Sequence, residues 1–323
     1  MPVFSKKAVG FSTPTALPAD GEENRRWQDA NREWWESQPM RYDWTEKIPA
    51  TQYTKEYFEE IDRRFFAATR AFMPWTSVPF DALIDFESLR EKDVLEIGVG
   101  CGTHAQLLAS HARSFTGIDL TEYASDCTRR RMNVFGLPAT ILRMDAESLQ
   151  FPDNSFDFVW SWGVIHCSAN TRQILKEIQR VLRPGGRAIT MVYHRNFWNY
   201  YVVSGFFRGL LGGQLYKAKS LNALLQQQTD GALARHYTER EWSDLVSDLF
   251  TVEYSRVYGM KVELLPLPRG RIKSALERVI PDGVSRILTN QAKLGTFLVT
   301  SLIKPSDSGK TDRARETQLA VSR

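Results

Sequence analysis

Short apolar runs alternate with helical stretches through the middle of the chain. Asp93–Ile97 reads as a strand, followed by a glycine turn and a helix near 103–112. Ser114–Asp119 reads as a second strand, with a helix near 121–135 behind it. Thr140–Arg143 and Phe156–Ser161 are the third and fourth. Ile174, Leu175, Ile178, Val181 and Leu182 then recur at helical spacing and line one face. Arg183-Pro184-Gly185-Gly186 stops that helix, because proline cannot continue it and glycine turns the chain. A fifth strand is expected over Arg187–Tyr193. Alternation of this kind calls for a parallel sheet with helices on both faces, an α/β fold.

Outside that region the pattern changes. Residues 1–25 are polar, carry Pro14, Pro18 and Gly21, and read as a flexible tail. Residues 26–86 read as a helical cap rich in aromatics, with Trp27, Trp34, Trp35 and Trp44 before Tyr57, Phe58, Ile61 and Phe65. The α/β domain runs over 87–304, with an insertion over about 195–249 that begins apolar and aromatic. Late elements are expected as a helix at 238–249, a strand at 250–258, a helix at 271–279 and a strand at 295–303. Residues 305–323 have almost nothing to bury and are expected to be disordered.

Composition adds exclusions. The 323 residues are 42% hydrophobic and 25% charged, an ordinary globular balance. The net charge of +4, from 42 Lys+Arg against 38 Asp+Glu, is too weak to imply a nucleic-acid face, and Arg129-Arg130-Arg131 reads as a solvated helix surface. Cys101, Cys127 and Cys167 cannot build a disulfide framework, and no His, Asp and Glu cluster has metal-ligand spacing. No run of apolar residues is long enough for a spanning helix, and the expectation is a cytoplasmic protein.

The chemistry begins at Glu96-Ile97-Gly98-Val99-Gly100-Cys101-Gly102. Glycines between a strand and a helix let the backbone approach a ligand without a Cβ in the way. Asp119 ends the next strand about 20 residues on, where a carboxylate can accept both hydroxyls of a ribose. Asp145 follows the third strand, where it can accept from an exocyclic amine such as that of adenine.

These stretches, with Phe151-Pro152-Asp153-Asn154-Ser155-Phe156-Asp157 and Leu182–Gly186, occur in the order and spacing of one family across roughly 90–195. The sequence resembles the class I S-adenosylmethionine-dependent methyltransferases, in the branch that includes the ubiquinone/menaquinone-type enzymes. Gly-x-Gly-x-Gly, rather than Gly-x-Gly-x-x-Gly, separates it from dinucleotide dehydrogenases. The resemblance implies a Rossmann-like sheet of seven strands, the last antiparallel, with S-adenosyl-L-methionine as cofactor. It implies that Glu96, Gly98, Gly100 and Gly102 border the methionyl part and ribose. Asp119 holds the ribose hydroxyls, Leu120 packs on the adenine, Asp145 and Ala146 read it, and Trp162 borders the methionine end.

Catalysis of methyl transfer rests mostly on alignment and exclusion of water, with a base of use if the acceptor is a hydroxyl. His166 and His194 follow the fourth and fifth strands and are the candidate bases. Tyr42, Tyr193, Arg235 and His236 are candidate substrate residues, Arg235 and His236 for a polar or anionic group. The reading is methylation of a small molecule, at oxygen before carbon, with an apolar or lipid-linked acceptor and peripheral membrane contact as a possibility. The competing reading is a silent binder of the cofactor that acts as a sensor.

Overall fold

The computed structural model describes residues 13–306 except 44–45, 219, 228 and 268–269. Of the tails expected at 1–25 and 305–323, residues 1–12 and 307–323 lie outside the described residues. The central strands are β1 (Asp93–Ile97), β2 (Ser114–Asp119), β3 (Thr140–Arg143), β4 (Phe156–Trp162) and β5 (Leu182–His194). They are joined by β6 (His236–Tyr237), β7 (Thr251–Tyr258) and β8 (Phe297–Ile303). The spatial order is β3-β2-β1-β4-β5-β8-β7, with β6 pairing β5. Strands β1 to β6 pair in parallel, while β8 runs antiparallel to both β5 and β7.

Side chains alternate across this sheet, so each strand feeds two cores. Val94, Phe158, Trp160 and Val299 pack on one face, together with Phe65 and Phe72 of helix α2 (Lys55–Phe72) and Leu108 of α3 (Thr103–Ala109). Leu95, Val159, Val192 and Leu298 pack on the other, against α5 (Thr171–Val181) and α7 (Glu239–Val246). Ile174, Leu175, Ile178 and Val181 of α5 are all buried, worth roughly 6–10 kcal/mol before entropy is charged. Asn170 starts α5 by accepting from Gln173 N–H.

Two boundaries differ from the sequence expectation. The tail does not extend to residue 25: helix α1 (Gly21–Ser37) begins at Asp20, whose side chain accepts from Glu23 N–H at 2.8 Å. Ahead of it, Pro14 O accepts from His236 N–H and Thr13 O from Asn222 Nδ2, so the incoming chain is docked. The second difference is at β5, which starts at Leu182. Leu182 pairs with Phe156 and Arg187 with Phe158, and the residues between them bulge out of the ladder.

The reversal of strand order falls between β1 and β4, whose carboxyl ends open a crevice. Parts of the chain far apart in sequence close over it. They are α1, α2 and the insertion, in which Phe197–Leu211 coils as a wide helix ending in Gly212 N–H to Phe207 O at 2.9 Å and α6 (Leu221–Gln226) follows. Among the described residues no helix is long and apolar enough to cross a membrane.

Candidate active site

The glycine turn after β1 has left-handed backbone at Gly98 (φ +83°), Gly100 (+54°) and Gly102 (+80°). A Cβ on Gly98 would fall 2.2 Å from a Val164 methyl, and one on Gly102 would fall 2.9 Å from Arg131 Cδ. Gly100 differs, since a Cβ there would meet nothing within 4 Å. Its backbone faces open space, the approach a ligand needs.

Asp119 closes β2 beside this turn. Its Oδ1 accepts from the N–H and hydroxyl of Thr121 (3.0 and 2.8 Å), and Oδ2 accepts a longer bond from Gly100 N–H at 3.2 Å. Burial raises its carboxyl above the usual range, and those donors pull it back. Oδ2 keeps acceptor capacity, while engaging both hydroxyls of a ribose requires the Thr121 hydroxyl to give way.

Asp145 faces a cavity of about 560 Å³ lined by Leu120 and Met144 and roofed by α1. Its Oδ1 accepts from Gln28 Nε2 at 2.8 Å and from Glu147 N–H at 2.9 Å. Ala146 is buried beside it. Glu96 is also buried, and its Oε2 meets no hydrogen-bond partner. Burial and the neighbouring Asp119 charge push its carboxyl well up from the usual range. Leu120 and Asp145 line that cavity, while the open backbone of Gly100 and the Asp119 carboxyl lie outside its lining; together these are the donor and acceptor types an adenosyl group needs.

The candidate bases differ. His166 is fully buried, and neither ring nitrogen makes a well-formed hydrogen bond. Its ring lies 4.0 Å from that of Tyr193. Burial, aided by the charge of Arg235, lowers its pKa to about 3, so the ring is neutral. His194 is buried too, but its Nδ1 is 3.0 Å from Gly295 O. Pairing of β6 with the end of β5 sets His236 opposite Tyr193, their rings stacked at 5.4 Å. Thus His166, Tyr193 and His236 form one cluster. Trp162 stacks on the core residue Trp160 at 5.3 Å, and Tyr42 packs on Phe65 at 5.3 Å.

Arg235 departs from its expected part as a reader of the acceptor. It is fully buried and donates to the carbonyls of Ala16, Ser168 and Ala169. It pins the incoming chain to the turn after β4. Arg131 likewise is no solvated surface charge. It is fully buried, pairs with Asp62 of α2, and donates to Cys101 O at 3.1 Å and Gln106 Oε1 at 2.8 Å. Helix α1 supplies further residues that the sequence did not flag. Gln28 holds Asp145, Asn24 donates to Glu147, and Glu36 accepts from Glu122 and Tyr123 N–H at the start of helix α4 (Glu122–Phe135).

Glu263 was equally silent in sequence. Its carboxylate accepts from Met260 N–H, Thr296 N–H and the Thr296 hydroxyl, yet burial outweighs these and raises it from 4.5 to about 7. A carboxyl raised by folding favours the native state fully below its unfolded pKa, and that contribution is lost as pH rises through its folded value. Stability should therefore fall between about pH 5 and pH 8, by at most about 3 kcal/mol. Glu263→Gln should flatten the slope in urea denaturation at the two pH values. An identical slope in both proteins would remove Glu263 as its source.

The methyltransferase domain family matches residues 95–190, the segment that carries the turn, Asp119, Asp145 and β4. The phthiotriol/phenolphthiotriol dimycocerosates methyltransferase of Mycobacterium tuberculosis is 41% identical over 97 residues, 29% of this chain and 35% of that one. The fatty-acid O-methyltransferase of Mycolicibacterium smegmatis gives the same identity and coverage. The chain thus spans about a third of the length of these relatives. A solved S-adenosylmethionine-dependent methyltransferase from Methanosarcina mazei is 21% identical over 68% of this chain and 94% of its own, at a TM-score of 0.46 too loose to argue from. Residues 95–190 of this chain, about a third of its length, are similar to a methyltransferase domain.

Proposed function

We propose that the chain methylates a small apolar or lipid-linked molecule at oxygen. The observation that carries this reading is His166, a buried, neutral imidazole packed on Tyr193 at the carboxyl end of the sheet. A neutral imidazole in that place can take the proton of an acceptor hydroxyl as its oxygen is methylated. S-adenosylmethionine, when bound, supplies the electrophilic methyl group. Asp119, Leu120 and Asp145 hold and orient the adenosyl part, and the turn at Gly98–Gly102 lets it lie against the backbone. Trp162 and Tyr193, at the carboxyl ends of β4 and β5, would exclude water and meet the cationic end, an interaction worth roughly 0.5–2 kcal/mol.

The names of the two mycobacterial relatives, one a fatty-acid O-methyltransferase, support an apolar acceptor. So does an insertion that opens on Phe197-Trp198-Asn199-Tyr200-Tyr201. The test is label transfer from methyl-labelled S-adenosylmethionine to hydroxylated lipids and fatty acids, followed by partition between organic and aqueous phases. Label on oxygen in the organic phase is expected. Label on carbon would correct the atom, and label in water would correct the acceptor class. No label despite cofactor binding would favour the silent sensor. His166→Ala should lower kcat about a hundredfold with S-adenosylhomocysteine affinity kept. An unchanged kcat would move the proton to His194 or leave the reaction without a base.

A further inference from the structure

We propose that the segment Phe197–Tyr216 together with helix α8 (Arg271–Val279) forms a docking surface for an anionic lipid bilayer. This goes beyond the methyl-transfer reading and does not depend on it.

Helix α8 is turned inside out. Ile272, Leu276 and Val279 recur at i, i+4 and i+7, a single apolar stripe. In a helix packed on a core that stripe is buried, yet Ile272 is 75% exposed and Val279 78%. The buried residue of α8 is Lys273, 6% exposed, whose Nζ donates to Leu265 O at 3.0 Å. Folding has thus placed a lysine inward and three aliphatic side chains in water. Helix α9 (Asp282–Arg286) and the turn after it continue the pattern with exposed Val284 and Ile287.

The insertion behaves alike. Phe197, Leu210 and Leu211 are 70%, 58% and 68% exposed, and Phe206 is half exposed. Both segments are anchored on one loop: Trp198 Nε1 donates to Leu264 O, and Lys273 to the next carbonyl. Scattered exposed apolar residues are ordinary, whereas this concentration in two segments fastened to one loop marks an interaction surface.

Charge names the occupant. From Arg195 to Thr229 the chain carries no Asp or Glu, while Arg208 and Lys217 lie within it. Helix α8 adds exposed Arg271 and Arg278 around its stripe. Apolar side chains ringed by cations suit the boundary of a bilayer with acidic headgroups, where the former enter the acyl edge and the latter meet phosphates. The surface adjoins the end of β5, so a membrane-borne acceptor would arrive beside the His166 cluster.

The test is cosedimentation of the full chain, without cofactor, with vesicles of phosphatidylglycerol and phosphatidylcholine or of phosphatidylcholine alone. Binding is expected to the mixed vesicles, weaker to the neutral ones, and reduced by salt. The pairs Leu210→Asp with Leu211→Asp, and Ile272→Asp with Val279→Asp, should each weaken it about tenfold or more. These side chains are exposed, so circular dichroism and S-adenosylhomocysteine affinity should stay unchanged. Absence of binding to mixed vesicles, or binding indifferent to both pairs, overturns the proposal. So does self-association on size-exclusion chromatography that both pairs abolish, without vesicle binding, because the surface would then belong to a second copy. Failure of methyl transfer would leave the vesicle result standing.

Discussion

Asp119→Ala is expected to weaken S-adenosylhomocysteine binding about a hundredfold or more. The side chain closes β2 beside the glycine turn, where it accepts from Gly100 and Thr121 N–H, and the proposed reading has its carboxylate accept from a ribose. Losing charged acceptance of two hydroxyls costs about 3 kcal/mol or more, since each such bond contributes about 1.5–3 kcal/mol. The substitution also removes the acceptor of Gly100 N–H and Thr121, so a loosened turn could produce part of the loss. Asp119→Asn separates the two effects, because it keeps the shape and one acceptor oxygen but not the charge. Calorimetry should place Asn between wild type and Ala. Wild-type affinity in Asp119→Ala would remove this residue from the cofactor site.

Arg131→Met is expected to destabilise the fold by about 3–5 kcal/mol, the range for breaking a buried ion pair by removing one partner. Asp62 would be left with a partly buried charge and only the Thr103 hydroxyl as donor (2.8 Å). The carbonyl of Cys101 would lose its bond from Arg131, so the glycine turn would loosen as well. Adding Asp62→Leu should restore much of the loss, because the orphaned charge goes with it. Urea denaturation at neutral pH measures both. A single variant as stable as wild type would mean that this ion pair does not clamp α2 to the cofactor turn.

The two predictions divide between local and distant information. The position of Asp119 was readable because it ends a strand about 20 residues after the glycine turn, and the structure sets it beside that turn. Arg131 was misread for the opposite reason. Three consecutive arginines on a helix look like a solvated face until α2, some 70 residues earlier, supplies Asp62. Arg235 was misread in the same way: carbonyls from Ala16 and from Ser168 and Ala169 converge on it, and no spacing announces that.

By itself the sequence determined the strands, most helices and the glycine turn with its two acidic companions. Their signals are alternation, helical periodicity and backbone freedom, which act over a few residues. The tertiary structure alone decided which side chains meet. It set α1 over Asp145 through Gln28, joined His236 to Tyr193 by adding a two-residue strand, and packed the buried His166 ring on Tyr193. It also turned the apolar stripe of α8 outward, although periodicity alone would have buried it. Burial is a property of what packs on a residue, and what packs there comes from elsewhere in the chain.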